Sequence, residues 1–369
     1  MSRLVALVLT AVLAVPLAAC SDEPAHDPGG GPTETTPPAT PVPSGTPTTS
    51  ATATPSAPGS ASASASGSAS SGAGPEALPP VRSRVSLPAL MREEVEAGRL
   101  RRVQPLASTD RWRSWSATYT VDGAVVSGEL LVPRGKGPFP AVVLNHGYID
   151  PAIYTLGRGL SREQEWLASN GFVVLHTDYR GHAGSDPVDD VGRESRLVYT
   201  RDAIGAVRAL EREAYVDTDR LAMLGRSMGG GVTLNALVAE PGLVDAAVVF
   251  ASVSSRFVDN IRQFTEPNRP EELARYYDRF GTPQENPAFY RDLSSRTFFD
   301  RVTEPVLMLH GTADDTCPIA WTRTSHRLLR EAGADARLQV YEGEGHAFGP
   351  RFEDSMRRTV EFLRVQLDG

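Results

Sequence analysis

The sequence predicts an α/β fold with a mostly parallel, doubly wound sheet and helices on both faces. Short apolar segments alternate with segments of helical spacing from residue 141 to residue 367. This alternation is typical of a parallel sheet that is covered on both sides. A glycine-flanked serine follows one of the central apolar segments. The part of the chain after residue 80, about 290 residues, is long enough to bury the core of one large domain.

The central segment reads LAMLGRSMGGG and spans Leu221 to Gly231. Its first four residues are an apolar run of the kind expected for a buried parallel strand, and Met228 to Ala239 has the composition of a helix. Ser227 therefore lies in a G-x-S-x-G motif between a strand and a helix, which is the pattern of a nucleophile elbow. The N-terminus of the helix directs amide groups at the serine, where an oxyanion would form. We predict that Ser227 is the nucleophile.

The other elements follow from apolar runs, helical spacing and turn signals. Strands are predicted at 116–121, 125–133, 141–145, 172–176, 246–250, 306–309 and 338–341, and helices at 161–169, 197–210, 320–331 and 352–367. Asp122-Gly123 predicts a tight turn between the first two strands. Ser161 and Gln164 predict a capping box at the first of these helices. Residues 81–113 suggest a helical lead-in.

Residues 256–299 interrupt this alternation with an insertion between two strands. The insertion holds nine aromatic residues: Phe257, Phe264, Tyr276, Tyr277, Phe280, Phe289, Tyr290, Phe298 and Phe299. Ligands bind at the carboxyl edge of open sheets, so an insertion there is a candidate helical lid. A packed helical subdomain with no lid function explains the same composition.

The first 80 residues predict export and a tether. Residues 1–20 have a basic start, a short apolar run and small residues before Cys20, which resembles the lipobox of a bacterial lipoprotein signal peptide. Residues 21–80 consist almost entirely of Pro, Ser, Thr, Ala and Gly, a composition that predicts a disordered linker before a catalytic domain at 81–369. We therefore expect a protein anchored to the membrane through lipid on Cys20, at the extracytoplasmic face. An ordinary secretory signal with an incidental cysteine is the alternative.

Charge and cysteine content limit the partners of the protein. The formal net charge is −8 and the chain has no basic run, so nucleic acid is not an expected partner. Cys20 and Cys317 are the two cysteines, and lipidation of the first leaves none to pair with the second. The sequence shows no cluster of Cys, His and Asp with metal-ligand spacing, and the predicted chemistry needs no cofactor.

A serine nucleophile needs a base, and the base needs an orienting acid. Of the three histidines after Ser227, His310 precedes the candidate acids, and His326 falls within a predicted helix. His346 follows the last predicted strand, at the sheet edge that also carries the serine, and we predict that it is the base. Two adjacent carboxylates, Asp314 and Asp315, follow the preceding strand.

Two backbone amides are expected to form the oxyanion hole. One is the amide of Met228, the residue after the nucleophile. The other comes from the loop after the strand that ends at His146, and the amide of Tyr148 is our prediction for it.

From about residue 125 to residue 367 the chain resembles the catalytic domain of the prolyl oligopeptidase-like branch of the α/β-hydrolases. The shared segments are His146-Gly147, Asp178 to Gly181, Gly225 to Gly230, Gly281 to Pro287, His310 to Pro318 and Gly345-His346. The resemblance implies the α/β-hydrolase fold and acyl transfer through a Ser-Asp-His triad. Its register places the triad acid on Asp314. Cys317 departs from the valine usual at its position, which changes packing but not chemistry.

Peptidases of this branch generally carry a β-propeller that selects substrates by size. Only about 35 residues lie between residue 81 and the first predicted strand, too few for a propeller. We therefore expect a carboxylesterase that acts on a small to medium apolar substrate. The alternatives are a serine peptidase, either an exopeptidase or an acyl-peptidase, and a lipoprotein that uses a hydrolase fold only for binding.

Overall fold

The computed structural model describes residues 77–368. The predicted signal peptide with Cys20 lies outside the described residues, as do residues 21–76 of the predicted linker. No helix within 77–368 has the length and apolar character needed to cross a membrane.

Within the described residues, nine strands form one sheet in the order β1-β2-β3-β5-β4-β6-β7-β8-β9. Strands β1, β2, β3 and β5 pair antiparallel, and the pairs from β5 through β4 to β9 are parallel. The predicted fold class is confirmed. The strands are β1 (Arg101–Ser108), β2 (Trp112–Val121), β3 (Ala124–Pro133), β4 (Phe139–Asn145), β5 (Val173–Thr177), β6 (Val216–Arg226), β7 (Ala246–Phe250), β8 (Val306–Gly311) and β9 (Ala336–Tyr341).

The first helix precedes β1, the last follows β9, and the others lie in the connections between strands. They are α1 (Leu87–Leu90), α2 (Ser161–Ser169), α3 (Asp190–Ser195), α4 (Leu197–Leu210), α5 (Met228–Ala239), α6 (Phe257–Asn260), α7 (Glu266–Asn268), α8 (Pro270–Phe280), α9 (Pro287–Asp292), α10 (Ile319–Glu331) and α11 (Phe352–Leu367). A π-helical turn at Ile261–Thr265 joins α6 to α7, and 3₁₀ turns occupy Pro151–Ile153 and Ser295–Arg301.

The sheet separates two apolar cores. Successive residues of a strand point to opposite faces, so Val143 packs with α4 and α5, whereas Val142 and Leu144 pack with α2 and α11. The central strands are buried on both sides. Burial on both faces explains why these strands read as continuous apolar runs in the sequence.

The predicted helical lead-in is wrong. Residues 87–90 form the only helical turn in residues 81–113, and residues 101–108 form the edge strand β1, which pairs antiparallel with β2. All eight residues of β1 are exposed. An edge strand without a buried face has no alternation of apolar and polar residues, and Pro105 within it weakens the strand pattern further.

The predicted capping box is also wrong, although α2 begins at Ser161 as expected. The N-cap of α2 is Leu160, and no side chain caps the helix. Gln164 instead contacts the sheet. Its Nε2 donates to Glu129 Oε2 at 2.9 Å, and its Oε1 lies 2.8 Å from His176 Nδ1. The predicted hairpin at Asp122-Gly123 is confirmed, because Val121 pairs with Ala124.

Candidate active site

Ser227 lies at the turn from β6 into α5, with backbone angles of φ 58° and ψ −120°. A residue with a side chain rarely adopts a positive φ, so the surrounding structure must hold it there. Glycine is required at two neighbouring positions. A Cβ at Gly225 would lie 2.2 Å from Gly229 O, and a Cβ at Gly229 would lie 1.8 Å from Asn145 O. Close packing of backbone on backbone therefore fixes the elbow.

Asp314 and His346 come together from the loops after β8 and β9. His346 Nδ1 lies 2.8 Å from Asp314 Oδ2, and His310 Nε2 lies 3.1 Å from the same oxygen. The other carboxylate oxygen, Asp314 Oδ1, accepts hydrogen bonds from the amides of Thr316 (2.9 Å) and Cys317 (2.8 Å). Four contacts thus hold the Asp314 carboxylate, and its Oδ2 faces the imidazole of His346.

The environment keeps the Asp314 carboxylate charged. Burial acts to raise its pKa, but hydrogen bonds from His310, His346 and the Cys317 amide outweigh burial and hold the pKa well below its usual range. The neighbouring Asp315 is exposed and makes no contact with His346. Of the two carboxylates that the sequence offers, Asp314 is therefore the one placed to orient the imidazole.

Ser227 and His346 line one cavity at the carboxyl edge of the sheet. Among the described residues no hydrogen bond joins Ser227 Oγ to His346, and the side-chain hydrogen-bond contact that Oγ makes is with Cys317 Sγ at 3.9 Å. Catalytic hydrogen bonds are often long before substrate binds. Burial raises the pKa of the Cys317 thiol to about 12, as expected for a packed residue rather than a second nucleophile.

Met228 and Tyr148 flank Ser227 in the same cavity. Neither backbone amide donates a hydrogen bond to another residue in the described range. Both amides are thus available to a substrate in the cavity, and their role in an oxyanion hole stays a prediction.

The loop that carries Tyr148 is held by buried polar groups. His146 Nδ1 lies 2.6 Å from Gly147 O, and His146 Nε2 lies 3.2 Å from Asp178 O. The Asp178 carboxylate accepts a hydrogen bond from the hydroxyl of Tyr154 at 2.7 Å. These contacts join the segment after β4 to the segment after β5. They hold the His146-Gly147 segment against the segment that begins at Asp178, at this edge of the sheet.

The cavity has a volume of about 680 Å³, and its walls are more charged than the sequence suggested. Four arginines line it: Arg193, Arg196, Arg226 and Arg269. No sequence pattern identified any of them as site residues. Arg193 and Arg196 lie between β5 and β6, Arg226 ends β6, and Arg269 lies in the insertion. The many arginines elsewhere in the chain gave no reason to select these four.

The insertion forms one wall of this cavity. It contributes Phe264, Asn268, Arg269 and Glu272, so Phe264 is the one aromatic of the nine that lines the cavity. Most of the others pack inside the insertion and against the core. Phe280 stacks on Phe289 with the ring centroids 4.6 Å apart, and Phe257 and Tyr276 are buried. The insertion therefore lines the cavity with one aromatic and three polar residues, and whether it moves as a lid stays a prediction.

Sequence comparison relates the chain to peptidases. A sequence model of the prolyl oligopeptidase family matches residues 158–369. The chain is 28% identical over 256 residues to the uncharacterized peptidase YtmA of Bacillus subtilis, which covers 68% of this chain and 91% of that protein. It is 29% identical over 208 residues to dipeptidyl peptidase 4 of Felis catus, but the match covers only 26% of that protein.

Solved structures share the fold. Acetyl xylan esterase 1 from a Thermoanaerobacterium species superposes with a TM-score of 0.57 at 20% identity, over 75% of this chain and 92% of that chain. A puromycin-hydrolyzing peptidase of Mycobacterium tuberculosis superposes with a TM-score of 0.56 at 24% identity, over 70% of this chain and 40% of that chain. At these identities the likeness shows the fold and not the substrate.

Proposed function

Since the chain belongs to the prolyl oligopeptidase family and is a serine hydrolase, we propose that it is a carboxylesterase whose triad is Ser227, His346 and Asp314. The observation that carries this proposal is the 2.8 Å contact between His346 and Asp314, beside a cavity that His346 shares with a serine on a strained elbow.

Each group has one task in the proposed reaction. Ser227 Oγ attacks the carbonyl carbon of the substrate while His346 Nε2 takes the hydroxyl proton. Asp314 holds the imidazole in the tautomer that leaves Nε2 free to accept. The amides of Met228 and Tyr148 stabilise the oxyanion. His346 then protonates the leaving alcohol, and water hydrolyses the acyl-enzyme by the same steps.

The size of the cavity favours a compact substrate over an extended peptide. Its volume of about 680 Å³ lies within the range of small-molecule sites. The cavity walls that surround Ser227 consist largely of side chains, many of them charged. The substrate that fits is small to medium in size, and it is more polar than the sequence suggested.

A serine peptidase is the second candidate. It is supported by the family and by the match to YtmA, which covers 91% of a protein named a peptidase. A small exopeptidase or acyl-peptidase would use the same triad with an amine as leaving group.

Kinetics on matched substrates separates the two candidates. The purified protein is tested on p-nitrophenyl esters of increasing acyl length and on aminoacyl and N-acyl-aminoacyl p-nitroanilides. We expect a higher kcat/KM on short and medium esters, and loss of activity in Ser227→Ala. A higher kcat/KM on the anilides would make the protein a peptidase.

We also propose that the protein is a lipoprotein, exported and held at the extracytoplasmic face of the membrane by lipid on Cys20. The sequence of residues 1–20 supports this proposal. In a bacterial expression host, labelled palmitate should be incorporated into the wild-type protein but not into Cys20→Ala, and only wild type should remain in the membrane fraction. Equal incorporation in both would contradict the lipidation of Cys20.

A further inference from the structure

Arg196 occupies an unusual position in the wall of the catalytic cavity. It is the residue between α3 and α4, and its backbone is left-handed with φ 61°. A residue with a side chain is strained in this region by about 1 kcal/mol. The turn places the partly buried Arg196 against the cavity that also contains Ser227 and His346.

The other three arginines of the cavity already have carboxylate partners. The ion pairs are Arg193 with Glu272 at 2.8 Å, Arg226 with Glu163 at 2.6 Å, and Arg269 with Glu194 at 3.1 Å. Arg196 differs from them. Within residues 77–368 no carboxylate lies within ion-pair distance of Arg196, and its side chain donates no hydrogen bond.

The nearest acidic side chains are committed elsewhere. Glu194, two positions before Arg196, accepts from the Thr265 hydroxyl at 2.8 Å and from Arg269. Glu272 pairs with both Arg193 and Arg269. Arg196 is only partly buried, and within residues 77–368 no carboxylate pairs its charge on the wall of the cavity. A carboxylate that entered the cavity could therefore pair with this guanidinium without displacing a side chain.

Arg196 and the nucleophile Ser227 line the same cavity. Burial and the charge of Asp314 raise the pKa of the Cys317 thiol, and the charge of Arg196 acts in the opposite direction. Cys317 Sγ in turn lies 3.9 Å from Ser227 Oγ. An anion bound to Arg196 would therefore lie in the cavity that Ser227 and His346 line.

We infer that Arg196 binds a carboxylate of the substrate, so that the preferred substrates of Ser227 are esters with a negatively charged group near the scissile bond. A guanidinium matches a carboxylate because its planar fork can donate two parallel hydrogen bonds. This inference rests on the proposed function, since it assigns a substrate class to the same site.

The test compares pairs of esters in which a negatively charged member is matched by a neutral one of similar size. For an anion on the acyl side, the pair is p-nitrophenyl hemisuccinate and p-nitrophenyl isocaproate, in which an isopropyl group replaces the carboxylate. For an anion on the leaving group, the pair is p-acetoxybenzoate and its methyl ester. The ratio of kcat/KM for the charged and neutral members is measured in wild type, Arg196→Met, Arg196→Lys and the control Arg262→Met. Arg262 is exposed and lies outside the cavity.

We expect the charged-to-neutral ratio of one pair to fall by about tenfold to a hundredfold in Arg196→Met. Arg196→Lys, which keeps the charge and is the milder change for folding, should retain an intermediate ratio, and Arg262→Met should match wild type. The pair whose ratio falls identifies the side of the scissile bond that carries the anion.

Two results would overturn the inference in distinguishable ways. If wild type hydrolyses the neutral esters but both ratios are the same in wild type, Arg196→Met and Arg196→Lys, Arg196 does not bind a substrate anion, while the proposed esterase stands. If wild type hydrolyses none of the four esters, the proposed function fails and the inference fails with it.

Discussion

His346 Nδ1 and Asp314 Oδ2 lie 2.8 Å apart although they are 32 positions apart in the chain. Parallel strands β8 and β9 end at the same edge of the sheet, so the loops that follow them meet there. The same edge receives the elbow after β6. The topology of the sheet thus brings together groups that the sequence separates by more than a hundred residues.

Loss of the Asp314 charge should slow the chemical step without disturbing the elbow. Asparagine can occupy the same space but no longer favours the required tautomer of His346, so Asp314→Asn is expected to lower kcat by about 10³ to 10⁴-fold. Asp315→Asn is the matched control, since Asp315 is exposed and does not contact His346. A large loss in Asp315→Asn with little effect of Asp314→Asn would reverse the assignment.

Acid should destabilise the fold through His146. Burial, with a contribution from His182, lowers the pKa of His146 to about 4, whereas an unfolded chain binds that proton below about pH 6.5. The unfolded state therefore binds more protons in this window, and stability falls as the pH drops. The titration of His146 is expected to lower the unfolding free energy by about 3 kcal/mol between about pH 6.5 and pH 4.

Urea unfolding across this pH range tests the role of His146. His146→Asn should be less stable than wild type near neutral pH, and the difference should narrow as the pH falls, because the variant has no proton to gain at this position. A difference that stays constant with pH would show that His146 is not responsible.

The ion pair between Arg226 and Glu163 should behave as a buried pair. Their side chains are 13% and 4% exposed and their charged atoms lie 2.6 Å apart. Removal of one partner leaves an uncompensated charge, so Glu163→Gln should lower the unfolding free energy by about 3 to 5 kcal/mol. The double variant Glu163→Gln with Arg226→Met should recover part of this loss. Additive losses in urea unfolding would mean that the pair is not coupled.

The elbow glycines should differ sharply in their tolerance of a methyl group. Gly229→Ala places a Cβ 1.8 Å from a backbone oxygen, Asn145 O, and is expected to abolish folding or activity. Gly231→Ala is the matched control in the same helix. Its Cβ would meet one side-chain atom, Val253 Cγ2 at 2.7 Å, so a buried side chain must shift there but no backbone atom is struck, and alanine gains up to about 1 kcal/mol of helix propensity. Soluble yield and melting temperature report both effects, and equal behaviour of the two variants would contradict the packing described.

Sequence patterns predicted the elements that are buried or bounded by strong turn signals. The elbow helix and the closing helix were predicted with the bounds that the structure gives, Met228–Ala239 and Phe352–Leu367. The elbow helix is buried all round and reads as an apolar run after the motif, whereas the closing helix has one buried face and shows apolar periodicity. Strand β1 was missed because none of its residues is buried. The capping box at Gln164 was predicted wrongly because local sequence does not show distant partners. Gln164 contacts Glu129 and His176 rather than its own helix.

The site was predictable only where a motif carries it. Ser227 and His346 stand in short glycine-containing motifs, and the choice of Asp314 over Asp315 came from the family register. Arg196 and Arg269 have no such pattern. Their place in the cavity depends on how α3, α4 and the insertion pack, which is tertiary information that local sequence does not hold.

Identification of the nucleophile tests the central proposal most directly. Purified protein is treated with a fluorophosphonate probe, and the labelled peptide is identified by mass spectrometry in wild type and in Ser227→Ala. We predict one adduct, on the peptide that contains Ser227, and no labelling of the variant. Equal labelling of wild type and Ser227→Ala, or an adduct on another residue, would contradict the account.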